Sequence, residues 1–548
     1  MTGPRTMGPR TMGPRATVPL AIGPGFRDRM GWLHTWAGVL VGALLFAIFW
    51  MGSLSVFDKE IDRWMIPETR IVPTGTPVSY DALIRPALSV AGGAAAYLNF
   101  LAPDEREPTV KFYYQDTDGT FHAAHLDPRT GAPLDLTDSL AGTGFIFPFH
   151  YGLHITWYDL GYWIVGFAGM SMLVLLVSGL FIHRKIIAEF FIFRPRKNPR
   201  RSTLDLHNLT SLIGLPFYIL ISFSGLLIFF TIYFPWAIQQ PFGGDDTLMA
   251  RELFGAYPVA VTGEPGTLGS VDAMIGHAER TWSARAGTPV QADVIRILNY
   301  GDAGASVYLR NTFPRRRVTL SEHIMVMDGA TGRVLSDYSA PPVKRVFAWI
   351  EGAHFVQFGH WPLRWLYFAA GLSGCVMIAT GLLFWIRARV RKGVGAPVKV
   401  RAVRAVAVGA VTGLMAATGA FLVANRLLPK GAALLGQDRS ELEIWVFFLV
   451  WAGTFVHAVL RGQAAWREQT CLLAGLAFSA ALLNGITTGD HLAATIARGY
   501  WPVAGLDLML LTVAAVALAA ARRLGRAPAP LPAPKVTTAQ SPGTAPAE

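Results

Sequence analysis

Cysteine is almost missing from this chain, with two residues in 548. Cys375 and Cys471 both fall inside apolar segments, which leaves no disulfide framework, no Cys-x-x-Cys-His attachment and no cysteine-based metal site. Charge is scarce as well. Asp, Glu, Lys and Arg together make up 15% of the residues, where soluble domains carry about 25%. No Gly-x-Gly-x-x-Gly follows a strand and no Walker A occurs, so neither dinucleotide nor P-loop chemistry is encoded. The first 24 residues, with their near-identical pentads MTGPR TMGPR TMGPR, contain no apolar h-region and do not read as a cleavable signal peptide.

What is present in abundance is apolar length. Hydrophobic residues make up 52% of the chain and the mean hydropathy is +0.37. A helix needs roughly 20 apolar residues to cross about 30 Å of hydrocarbon, and eight stretches meet that test. Four of them, 28–57, 161–183, 209–236 and 363–386, form a first group, and a C-terminal module of four spans occupies 402–521. The tails at 1–27 and 522–548 have no core to bury and read as disordered.

Lys and Arg in short loops mark the cytoplasmic side. The 184–208 loop carries Arg184, Lys185, Arg194, Arg196, Lys197, Arg200 and Arg201, and a second cluster runs from Arg387 through Arg404. Both loops and both termini are therefore expected in the cytoplasm of a bacterial inner membrane. The formal net charge of +12 is mostly these flanks, so it argues for topology and anionic lipid and not for nucleic acid. The two long polar stretches, 58–160 and 237–362, fall on the outer side. No cytoplasmic loop is long enough for a flavin or nicotinamide domain, so electrons for any redox chemistry must come from a soluble cytoplasmic donor or from quinol.

The two polar stretches repeat one theme. In each, strand-like segments (VKFYYQ then FHAAHLDPRTGAPL; SVYLR then VTLSEHIMVMDGATGRVL) run into an Asp-x-x-Thr-Gly turn, at Asp127–Gly131 and Asp328–Gly332. From Gly131 to His154 is 23 residues, and from Gly332 to His354 is 22. His34 stands eighteen residues before Gly52, and His207 eighteen before Gly225. The first 390 residues are thus a duplicated unit of helix, outer domain, helix.

In a duplicated bundle equivalent residues face one another across a pseudo-twofold axis. His34 with His207 is expected at the inner end, and His154 with His354 at the outer end. Neutral imidazole is the commonest protein metal ligand, and facing helix ends are where haem irons are held. One pair at each face suits a transmembrane electron path, because a single haem cannot bridge the hydrocarbon. His150, one turn before His154, and His183, at the end of the second span, are further candidates; His360 has no counterpart. Arg310, Arg315, Arg316 and Arg317 can attract an anionic chelate or serve as a solvated loop.

The segments LHTWAGVLVG, FHYGLHITWYDLGYWIVGF, SGLFIHRKI followed by EFFIFRPRKNPRRSTLDLHN, and AHFVQFGHWPLRWLYFAAGL resemble the PepSY-associated transmembrane family, across roughly residues 28 to 390. That resemblance implies a four-helix core holding b-type haem, two periplasmic PepSY-like domains, and reduction of ferric siderophores. His34, His154, His207 and His354 are the matching positions, with His150 and His183 matching the FHYxLH and FFxFRP subgroup. His360 departs from the pattern, and the last four helices lie outside it.

The expectation is therefore an all-α polytopic membrane protein of about eight spans, with a duplicated four-helix haem-binding core and two small α+β outer domains. It would be a ferric-chelate reductase with two b haems, feeding iron uptake. Two other readings stand beside it: a haem-free PepSY protein that binds peptides or regulates a peptidase, and a siderophore permease.

Overall fold

The computed structural model describes residues 24–526, apart from 73–76, 94, 96, 116–118, 184–193, 195–198, 312–317, 319, 321–322 and 391–396. Residues 24–27 and 522–524, assigned to the tails in the sequence, are helical; the tails before 24 and after 526, most of the basic 184–208 loop, Arg391, Lys392 and the arginines at 315–317 lie outside the described residues.

Long apolar runs free of interior proline give long helices. α1 (Pro24–Ser55) breaks at Phe57 into the short amphipathic α2 (Asp58–Met65). α3 (Tyr80–Val90) and strands β1 (Tyr97–Leu101), β2 (Val110–Gln115) and β3 (Phe121–Leu126) follow. A π-turn at Ala141–Ile146 then runs straight into α4 (Phe147–Gly152), and α5 (Leu160–Ile182) crosses back.

The third apolar run is not one straight helix. It divides into α6 (Pro199–Ile213) and α7 (Leu215–Ile228), bent by 63° at Gly214. Pro216 stands at the second position of α7, where its missing N–H costs nothing because a new helix starts there. The second half continues with α8 (Val271–Ala286), β4 (Val294–Leu298), β5 (Ser306–Asn311), β6 (His323–Asp328), β7 (Val334–Ser339), α9 (Pro342–Phe355) and α10 (Trp361–Arg389). Four further helices close the chain: α11 (Val398–Leu427), α12 (Arg439–Arg461), α13 (Ala465–Thr488) and α14 (Trp501–Leu524). Among the described residues seven helices are long and apolar enough to span a membrane, and eight if α6 with α7 counts as one. The chain is a mostly helical multi-pass membrane protein.

α1 packs between α5 and α10, α6 lies on α10, and α7 on α5, so the two halves enclose a four-helix core. The two strand sets do not fold apart. They join edge to edge in one antiparallel sheet of seven strands, order β3-β2-β1-β4-β5-β6-β7, with β1 paired to β4 from Tyr97↔Leu298 to Leu101↔Val294. Joining hides two edges that would otherwise present unpaired backbone groups. α3 and α8 cover one face over a core that includes Leu98, Phe100, Phe112, Ile295, Val307 and Trp282.

The helices also cap each other. The Asp272 carboxylate accepts from Ser79 Oγ (2.6 Å) and Tyr80 N (2.7 Å), while Asp81 accepts from Ser270 Oγ (2.6 Å) and Val271 N (2.6 Å). Each helix start is thus satisfied by the other half of the duplication.

Candidate functional site

Four histidines are held by one repeated device. His34 on α1 sets Nδ1 3.0 Å from the Leu175 carbonyl and 3.1 Å from Ser178 Oγ on α5. His207 on α6 sets Nδ1 2.8 Å from the Met377 carbonyl of α10. His150 on α4 reaches the Ile48 carbonyl of α1 at 2.9 Å. His354 on α9 meets Ser224 Oγ of α7 at 2.9 Å, beside the Ile221 carbonyl.

In every case the glycine four residues after that carbonyl lies under the ring. A Cβ would stand 3.3 Å from His34 at Gly179, 3.2 Å from His207 at Gly381, 2.6 Å from His150 at Gly52 and 2.9 Å from His354 at Gly225. Only a residue without a side chain lets an imidazole come so near a helix backbone and share a carbonyl that already accepts its own helical bond.

The consequence is chemical. A ring nitrogen facing a carbonyl is the protonated one, so Nδ1 carries the hydrogen and Nε2 is left with a free lone pair. Among the described residues Nε2 of none of the four takes part in a hydrogen bond. This is the orientation that a metal-ligating histidine receives from its supporting carbonyl.

The rings meet in pairs. His34 and His207 have centroids 6.3 Å apart with planes crossed at 75°. His150 and His354 are 6.0 Å apart at 28°. Two imidazoles that share one metal through bonds of about 2 Å stand with ring centres roughly 6 Å apart, and both pairs fit that spacing. Each pair lines its own cavity. The inner one, of about 490 Å³, includes Arg200, Asn208 and Arg389; the outer one, of about 120 Å³, includes Tyr151, Tyr233 and Tyr367; Leu45 and Met172 border both.

Among the described residues no three of His, Cys, Asp and Glu come together as a site for a bare ion.

The pairing at the outer end corrects the sequence reading. His154, expected opposite His354, lies beyond the end of α4, after the left-handed Leu153 and itself at φ 57°. Its ring turns to Phe145 (5.4 Å) and to Phe448 of α12 (6.2 Å). His150 takes its place, because the loop and π-turn before α4 make the first half three residues shorter, 19 from Gly131 against 22 from Gly332. His183 ends α5 and lines the inner cavity. His360 is exposed before α10.

Composition gave no hint of a second cluster that ties sheet to bundle. Glu60 of α2 accepts from Arg106 Nε (2.9 Å) and Nη2 (2.9 Å) and from Arg364 Nη2 (3.2 Å), and Asp58 accepts from Arg106 at 3.0 Å. Burial alone would raise the Glu60 carboxyl, but Arg106 and Arg364 together hold it down to about 2.

With this geometry in hand, the model of the PepSY-associated TM region matches residues 31–388. The chain belongs to that family. The PepSY-associated match takes in all four paired histidines and stops within α10, so the last four helices lie beyond it. A relative from Pseudomonas aeruginosa, the uncharacterized protein PA4219, is 27% identical over 402 residues, which is 68% of this chain and 93% of the relative.

Proposed function

We propose that this PepSY-associated membrane protein is a b-type haem oxidoreductase that carries electrons from the cytoplasmic face outward to a ferric chelate, a siderophore in iron uptake. The observation that carries the reading is the fourfold device: two imidazole pairs with ring centroids 6.3 and 6.0 Å apart, each Nδ1 held at a helix carbonyl over a glycine. His34 with His207 would hold the inner haem and His150 with His354 the outer one. Ligation by two imidazoles would leave no open position on the iron, so each pair would supply single-electron transfer and not oxygen or substrate binding.

The chain's own part is to orient these ligands, keep water out and place the sites at opposite ends of the bundle. The carbonyls of Leu175, Met377, Ile48 and Ile221 fix tautomer and ring direction. Leu45, Met172, Phe49 and Leu215 supply a low-dielectric lining. The basic flanks support an orientation with the inner pair in the cytoplasmic leaflet of the inner membrane, the sheet outside and both termini inside. Electrons then enter from a soluble donor or from quinol at the inner end.

The test is a reduced-minus-oxidised visible spectrum with a haem-per-chain assay. Wild type should show low-spin b-type bands and two haems. His34→Ala or His207→Ala should remove one, His150→Ala or His354→Ala the other, and His154→Ala neither. A protein that stays colourless after reconstitution with haem overturns the reading.

A further inference from the structure

α2 is eight residues long, yet it meets Arg106 beside the sheet, α10, the π-turn and the C-terminal module. Toward the sheet and α10 it presents Asp58 and Glu60 to Arg106 and Arg364. Toward the π-turn it presents Asp62, whose carboxylate accepts from Gly142 N (2.8 Å), Thr143 N (2.9 Å) and Thr143 Oγ1. Those amides open the helical segment that runs without interruption into α4, and eight residues after Gly142 stands His150. A residue on a helix moves with the start of that helix, about 12 Å away at 1.5 Å per residue.

Gly142 has no room for a side chain against the Asp58 carbonyl, so the start of the segment is pressed on α2 as well as bonded to it. The far end of α2 is gripped by the C-terminal module. Trp64, fully buried, donates Nε1 to Asp507 of α14 at 2.7 Å, and Arg426 of α11 lies over its ring at 4.8 Å while donating to the Trp64 and Met65 carbonyls. Asp507 is itself held by Asn484 Nδ2 at 3.1 Å. Asp62, Trp64 Nε1 and Asp507 are each spent on partners within the chain, and they serve as a mount.

We propose that Asp62 is a positioning residue for the outer histidine His150, and that the C-terminal four-helix module acts through Trp64 as the anchor that holds α2 in place. This rests on the haem-binding reading. The sequence of contacts runs from Asp507 to Trp64, along α2 to Asp62, and through the π-turn to His150. Asp62 bonds to the segment that carries His150 and not to α1 or α6, which carry His34 and His207, so the effect is expected at one of the two sites.

The experiment uses the full-length protein in detergent, as wild type, Asp62→Ala, Asp62→Asn and Trp64→Phe. Two signals are read: the reduction potential and low-spin spectrum of each haem, and amide hydrogen exchange across residues 141–152, which needs no cofactor. In Asp62→Ala the outer potential and spectrum should shift, with haem content falling from two toward one per chain, and exchange in 141–152 should rise several-fold; the inner signal stays and reports that the bundle is folded. Asp62→Asn, which can still accept from the Gly142 and Thr143 amides, should restore most of both. Trp64→Phe should move the same outer signal in the same direction. Unchanged exchange and an unchanged outer signal in Asp62→Ala overturn the proposal. Raised exchange in Asp62→Ala, when the wild type binds no outer haem, would overturn the haem reading and leave the mount standing.

Discussion

Gly52 lies beneath His150 so closely that a Cβ on it would stand 2.6 Å from the imidazole. Gly225 stands in the same relation to His354 at 2.9 Å, whereas Gly179 and Gly381 leave 3.3 and 3.2 Å beneath the inner rings. Gly52→Ala and Gly225→Ala should therefore displace the outer pair and cost about 1–3 kcal/mol as overpacking. Gly179→Ala and Gly381→Ala should be milder. Haem content and thermal midpoint of the four variants check the order; equal losses at both ends would contradict it.

The two ring pairs differ in orientation, 75° at the inner end and 28° at the outer. Axial planes that cross nearly at right angles leave two iron d orbitals close in energy, and near-parallel planes split them. On the proposed haem reading, low-temperature EPR of the oxidised protein should thus show one strongly anisotropic low-spin signal and one rhombic signal. His207→Ala should remove the first and His354→Ala the second.

Asp81 and Asp272 cap each other's helices across the duplication. Replacing either with Ala removes two acceptors from a helix start and should lower the stability of the sheet by about 1–2 kcal/mol. Because both caps hold the same α3 and α8 pair, the double variant should lose less than twice that amount. Denaturant unfolding followed by tryptophan emission, with Trp282 in the core, gives the measurement.

His125 of β3 sits with Nδ1 2.8 Å from Thr109 Oγ1. Burial, aided by the Lys111 charge and opposed by Glu107, lowers its pKa from the ordinary 6.5 to about 4. Between those values the unfolded chain binds more protons than the native one, so stability is complete above pH 6.5 and declines as the pH falls toward 4. The loss should reach about 2–3 kcal/mol. His125→Gln keeps a partner for Thr109 and should flatten this part of the stability profile between pH 6.5 and 4; an unchanged slope would show that another group titrates there.

The spans were legible because apolar length is a local property, and His34 and His207 could be paired because each stands eighteen residues before its glycine on one continuous run. Gly52 and Gly225 themselves were visible as the two spaced positions. What they do was not, since a glycine's use depends on which ring another helix brings over it. The outer pairing failed for the same kind of reason: distance along the chain from Gly131 to His154 matched the second half, but three-dimensional equivalence follows the carbonyl and glycine of the receiving helix. β1 and β4, with the short sequences YLNFL and VIRIL, were not singled out, although their pairing joins the two outer stretches.

The sequence by itself determined that this chain lives in a membrane, how many apolar spans it has, that its first 390 residues are duplicated, and which residue type sits at the span ends, because hydropathy, charge and repetition are read along the chain. Only the tertiary structure decided that His150 and not His154 faces His354, that the two strand sets share one sheet, and that α2 links sheet, bundle and C-terminal module. Those relationships are made by side chains meeting backbones far away in sequence, and such contacts are fixed by packing and hydrogen-bond geometry that no local pattern carries.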